Sequence, residues 1–155
     1  MIGAMQRTRE DGYQVDDDRT RIQLDVVHGF LETAYWSPGV PRDVVERAVD
    51  NSIVMAAYSP TGEQIGMARA VTDRATFAWI ADVFVLPEHR GLALGRFVVE
   101  SLLEHPELQG LRRFMLATKD AHDLYRGYGF EELDDPGRYM LRRSAPGSGS
   151  GSAGP

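Results

Sequence analysis

The chain has 155 residues, no cysteine and a formal net charge of −6, a length that suits one domain with one sizeable core. The missing cysteines exclude disulfides, thiolate metal sites and a cysteine acyl-enzyme, and they fit a reducing, cytoplasmic setting. The acidic balance argues against a nucleic-acid partner, which wants a basic surface; it leaves room for a cationic small molecule, although an acidic surface also serves solubility alone.

In chain order, "MIGAMQRTRE" at residues 1–10 lacks a sustained apolar signal core and reads as an N-terminal extension. Residues 11–15 are expected to open the sheet. From Asp25 the apolar set Val27, Phe30, Leu31 and Ala34 has helical spacing. "YWSPGVP" interrupts it, and Pro41 suits the first turn of a second helix running towards Asn51. "SIVMAAY" is a strand and "SPTGE" a turn. In "QIGMARAVT", Ile65, Met67 and Val71 share one parity and small Gly66, Ala68 and Ala70 the other, which predicts a strand with one thin face. "TFAWIADVFV" is a longer strand, and the short connections make these three antiparallel neighbours.

"EHRGLALGR" at 88–96 then precedes Leu94, Phe97, Val98 and Leu102 at helical spacing. "HPELQG" breaks that helix, "FMLAT" is a strand, "AHDLYRGYG" a short helix and "YMLRR" a last strand. Strand, glycine loop, helix and strand in that order form a crossover with parallel pairing, so the fold class is α/β with a mixed sheet. The domain is read as 11–143. The Gly/Ser-rich end, 144–155, is too poor in apolar groups to fold and reads as a disordered tail. No apolar stretch reaches the roughly 18–20 residues that span a bilayer, so no membrane partner is expected.

The loop "RGLALGR" lacks the GK[ST] of a nucleotide-triphosphate loop and the GxGxxG of a dinucleotide fold. What it offers is exposed N–H groups at a helix N-terminus, suited to an anion, flanked by Arg90 and Arg96. The alternative is a plain strand-to-helix connection. The four histidines have no paired spacing, so no metal is expected.

"VFVLPEHRGLALGRFVVESLL" followed by "LYRGYGF" closely resembles the GNAT superfamily of acetyl-CoA-dependent N-acetyltransferases. The resemblance covers most of the chain, from the first helix to the final strand. It implies a mixed, mostly antiparallel sheet with the strand before the loop and the strand after the crossover splayed around acetyl-CoA. Val83, Phe84 and Val85 would lie along the pantetheine, and the amides around Arg90, Gly91, Leu92, Ala93, Gly95 and Arg96 would take the pyrophosphate. The family usually has glycine where this chain has Ala93; a methyl group there restricts positive φ, unless the residue has ordinary helical angles. Thr118 stands where the family often has asparagine, and Asp120 is expected to cap the helix that follows.

The resemblance makes Tyr125 the proton donor to the departing thiolate; the competing reading is a packed tyrosine bonded to a carbonyl. A backbone N–H near Phe84 would stabilise the oxyanion. Asp82, sharing parity with Ile80 and Phe84, is the candidate general base, against a carboxylate merely satisfied by N–H groups or an arginine. Glu32 is the second candidate. Tyr35 and Trp36, with Trp79 nearby in the sheet, form either a wall for an amine or a lid on the core. The expected reaction is acetyl transfer to a primary amine of a small molecule, amino acid or peptide. A catalytically inactive acyl-CoA sensor and a transferase of longer acyl groups are the competitors. Homodimers are common in this fold, though no stretch of the chain establishes one.

Overall fold

The computed structural model describes residues 5–144; the terminal tail expected from 144 onward lies outside them but for its first residue. Six strands form one sheet in the order β1 (Gln6–Thr8), β2 (Gln14–Asp16), β3 (Ile53–Tyr58), β4 (Gln64–Thr72), β5 (Phe77–Val85) and β6 (Arg113–Met115). All neighbours are antiparallel except β5 and β6, which are parallel as the crossover requires. The helices are α1 (Leu24–Leu31), α2 (Arg42–Asp50), α3 (Leu94–Leu103) and α4 (His122–Arg126).

The sheet begins earlier than the sequence suggested. Gln6–Thr8, inside the stretch read as an extension, pairs with Gln14–Asp16 as a hairpin. Its polar composition hid it, because an edge strand needs few apolar residues.

β3 is buried throughout because both faces are covered. Ile53, Met55 and Ala57 join the core under α3, with Val98, Val99 and Leu102. Val54, Ala56 and Tyr58 join the core under α1 and α2, with Val27, Leu31, Val45 and Val49. The thin face of β4 lies under α3, where Ala68 and Ala70 are fully buried. Ile65 joins them instead of sharing a face with Met67, because the β3–β4 register shifts beside Tyr58.

A second irregularity shapes the site. Between β4 and β5, Arg69 pairs with Ala81 but Met67 with Phe84, so β5 carries one extra residue. Asp82 absorbs it with φ +53°. The expected shared face of Ile80 and Phe84 is thereby lost: Ile80 packs under α3 and Phe84 under α1 and α2. β6 pairs only with Phe77–Trp79, so β5 runs on to Val85 without a strand partner on that side.

The expected last strand, Tyr139–Arg143, is absent. β6 offers an edge of only three residues, and Pro136–Arg138 forms a 3-10 turn ahead of a segment in which Met140 is 98% and Leu141 63% exposed. So short an edge gives little ladder to nucleate on.

A Cβ on Gly66 would stand 2.5 Å from the Phe84 carbonyl oxygen, so backbone would have to move. Gly66→Ala is therefore expected to lower unfolding free energy by about 1–3 kcal/mol, read by urea denaturation. An unchanged midpoint would mean that β4 and β5 are not in this close contact.

Candidate active site

The loop between β5 and α3 has the backbone of an anion cradle. Gly91 has φ +88° and Ala93, the residue preceding α3, has φ +59° and ψ +29°. Ala93 thus carries a left-handed conformation that costs an L-residue roughly 1–2 kcal/mol; the helical-angle alternative does not hold. Within the described residues, no backbone or side-chain acceptor takes the N–H groups of Gly91, Leu92, Ala93, Leu94, Gly95 or Arg96. Six unpaired donors at the positive end of a ten-residue helix favour an anion. Leu92 and Arg96 are exposed beside them. The Arg90 side chain turns back, its Nε donating to the Val85 carbonyl at 3.0 Å, and so fixes the loop to the end of β5.

Asp82 is 8% exposed and its two oxygens have different partners. The Trp36 indole N–H donates to Oδ1 at 2.9 Å. Arg69 donates to Oδ2 through Nε at 2.9 Å and Nη2 at 2.8 Å, and its Nη1 donates to the Ser52 hydroxyl at 3.1 Å. The extra residue in β5 turns this carboxylate towards the α1–α2 side, where Arg69 and Trp36 meet it. Arg69 was missed in the sequence, although an arginine inside an otherwise apolar strand calls for an acidic partner.

Trp36 packs at the edge of a cluster of aromatic rings. Its centroid lies 6.2 Å from that of Phe30, which stacks on Phe84 at 4.2 Å, and Tyr35 meets Trp36 edge-on at 5.0 Å. Tyr35 is 54% exposed, and Lys119 Nζ lies 5.2 Å from its ring centre. Lys119 was also missed; only its place next to Thr118 gave a signal. This contact brings the α1–α2 connection against the β6–α4 connection.

Tyr125 is buried in the last turn of α4, with its ring edge-on to Phe130 at 5.8 Å. Burial, with the neighbouring Tyr35 phenol adding to it, pushes its hydroxyl up to about 12. Thr118 Oγ1 accepts from the Ala121 N–H at 3.0 Å; it, and not Asp120, supports the start of α4. Thr118 and Tyr125 both line a cavity of about 430 Å³ beside β6, with Met115 and Phe130. No residue of the glycine loop lines it.

The remaining expected residues are more peripheral. Val83 and Val85 are half-buried on the α3 side. Trp79 is half-buried at the last β5 position paired with β6. Glu32 is exposed at the end of α1, 3.5 Å from His28. Tyr128, in the turn just past α4, reaches the Arg96 carbonyl and Glu100 at 3.4 Å and ties the end of α4 to α3. Among the described residues, no group of three His, Cys, Asp or Glu side chains is placed to hold a metal, and no helix is long and apolar enough to cross a membrane.

The sequence profile of the Acetyltransferase (GNAT) family matches residues 18–130. A crystal structure of a GNAT-family protein from Xanthomonas campestris pv. campestris superposes with a TM-score of 0.82 at 39% identity, over 88% of this chain and 95% of that one. The Gibberella zeae protein FG08082, whose name places it among the acetyltransferases, is 34% identical over 140 residues, 76% of this chain and 77% of its own. Serotonin N-acetyltransferase 2, chloroplastic, of Oryza sativa subsp. japonica is 33% identical over 130 residues, 79% of this chain and 64% of its own. The profile match, the relatives and the shared mixed sheet agree, and this chain belongs to the GNAT acetyltransferases.

Proposed function

We propose that the protein transfers the acetyl group of acetyl-CoA to a primary amine carried on a small molecule with an apolar or aromatic body. The observation that carries this reading is the row of unpaired N–H groups from Gly91 to Arg96, suited to the diphosphate of coenzyme A. The aromatic wall of Tyr35 and Trp36 supports an amine acceptor, since ring faces attract a cation as it arrives. The aromatic amine named for the rice relative is compatible with that wall.

In this reading the amine nitrogen forms a bond to the thioester carbonyl carbon, the carbon–sulfur bond breaks, and the amine gives up a proton. A backbone N–H near Phe84 meets the oxyanion. Tyr125 supplies the proton that the departing thiolate takes, and Thr118 serves the pantetheine end with its hydroxyl proton. Asp82 acts as a positioning residue: both of its oxygens are already engaged, and through Oδ1 it holds Trp36 at the acceptor wall. The proton lost by the amine leaves to solvent, and solvent returns a proton to the Tyr125 phenolate.

The test is thiol release from acetyl-CoA against a panel of aliphatic and aromatic amines. Acceptor-dependent release is expected; binding of acetyl-CoA without release from any amine would favour an acyl-CoA sensor. Tyr125→Phe should lower kcat about a hundredfold or more with coenzyme A affinity kept. Because burial holds the Tyr125 phenol near 12, it remains a proton donor through the alkaline range. The rate should therefore show no tyrosine-dependent fall between about pH 8 and 10, where an ordinary phenol of pKa about 10 begins to ionise.

Asp82→Asn separates positioning from base catalysis. A positioning role predicts a higher KM for the amine, altered Trp36 fluorescence and a kcat within about tenfold of the unmodified protein. A base would instead lose kcat by about a hundredfold or more and lose the acidic limb of its pH profile.

A further inference from the structure

The N-terminal hairpin reaches the glycine loop at two points. Tyr13 Oη lies 2.7 Å from His89 Nδ1, with the two rings edge-on at 5.7 Å. Arg9 Nη1 donates to the Leu92 carbonyl at 2.8 Å, across 83 positions of sequence. The rest of the Arg9 fork is occupied by Asp11, through Nε at 3.2 Å and through Nη2. Its guanidinium carbon stands 5.4 Å from the ring centre of Phe97 and 5.8 Å from that of Tyr13. A guanidinium fixed on several sides keeps its remaining donor aimed at little entropic cost.

The hairpin that carries Arg9 is itself anchored. Arg9 N–H donates to the Tyr13 carbonyl at 2.8 Å and Gly12 N–H to the Arg9 carbonyl at 2.9 Å. Gly12, at φ +93°, lies so close to Pro60 that a Cβ would stand 3.0 Å from the proline ring. The tip of the hairpin therefore rests on the β3–β4 turn, and Arg9 faces the loop.

The bonded carbonyl belongs to the peptide that leads into Ala93. No peptide bond among the described residues is cis, and in a trans peptide the C=O and the following N–H point in opposite directions. With the Leu92 carbonyl held by Arg9, the Ala93 N–H points away from the hairpin, and no acceptor takes it. Ala93 is also the residue whose left-handed backbone is unfavourable for an L-amino acid. Without a restraint, the peptide is free to rotate towards a more relaxed conformation and withdraw that donor.

We propose that Arg9 is a positioning residue for the cofactor loop: by holding the Leu92 carbonyl it keeps the strained Ala93 peptide turned so that its N–H faces the coenzyme A diphosphate. The proposal rests on the coenzyme A reading of the loop. It also accounts for alanine at a position where the resemblance calls for glycine: an external hydrogen bond fixes a conformation that glycine would reach unaided.

The test is calorimetric titration of the full chain with coenzyme A, using the unmodified protein, Arg9→Ala, Ala93→Gly and the double variant, with melting temperatures measured in parallel. Arg9→Ala is expected to weaken binding about tenfold, as for loss of a hydrogen bond from a charged donor. In the Ala93→Gly background the same change should cost about threefold or less, because glycine pays little for the left-handed angles. Equal affinity of the unmodified protein and Arg9→Ala would overturn the proposal, whatever the change in melting temperature. An equal loss in both backgrounds would also overturn it, assigning Arg9 to charge attraction alone. Absence of binding by the unmodified protein would overturn the coenzyme A reading and the proposal with it.

Discussion

The left-handed backbone at Asp82 is the constraint from which the aromatic side of the candidate site follows, because it inserts one residue into β5 beyond the stretch that β6 pairs. A strand with unbroken alternation would carry Ile80, Asp82 and Phe84 on one face. The bulge instead leaves Ile80 under α3 and moves Phe84 into the aromatic cluster under α1 and α2. It also turns the Asp82 carboxylate to meet both Arg69 and Trp36. The conformation is costly for an ordinary residue, but aspartate tolerates it better than most. The ion pair returns part of that cost only because the geometry satisfies both partners; a lone charge at the same depth would be far more expensive. Burial, backbone strain and an ion pair thus meet at one residue, a combination that commonly marks functional sites.

The glycine loop, proposed here as the cofactor side, obeys a different constraint. Its donors are main-chain N–H groups, made available by a tight loop and a helix that starts immediately after it. Such a site asks little of side-chain identity and much of backbone conformation. Gly91 meets that demand alone; Ala93 does not. The contacts that secure the loop come from both sides of it in sequence: Arg90 to the end of β5, and Arg9 and Tyr13 from the N-terminal hairpin. A loop braced this way is preorganised, so less ordering entropy remains to be lost when a ligand arrives.

Much of this was legible in the sequence. Helical periodicity located α1 and α3, and Pro41 after the YWSPGVP break pointed to α2; apolar runs, the alternation of β4 and short connections gave the three central strands; the strand–loop–helix–strand order predicted the parallel pair. What remained hidden had physical reasons. β1 is a polar edge strand, so no apolar pattern marked it. The face switch at Asp82 depends on a bulge, and period-two reasoning assumes none. Arg69, Lys119 and Arg9 act through contacts between distant segments, which single-segment patterns do not encode. The expected last strand failed for the complementary reason: a suitable pattern at Tyr139–Arg143 has only a very short edge on which to form a ladder.

The proposed role of the main chain from Gly91 to Arg96 is to bind the diphosphate of coenzyme A. Its most direct test is an amide-resolved nuclear magnetic resonance titration of ¹⁵N-labelled protein with coenzyme A. Saturable downfield shifts of the amides at Gly91, Ala93 and Gly95, larger than those of β1–β3, are the predicted result, because each new N–H donation to an anion deshields its proton. Binding that leaves these amides unmoved while shifting resonances elsewhere would contradict the assignment of the loop.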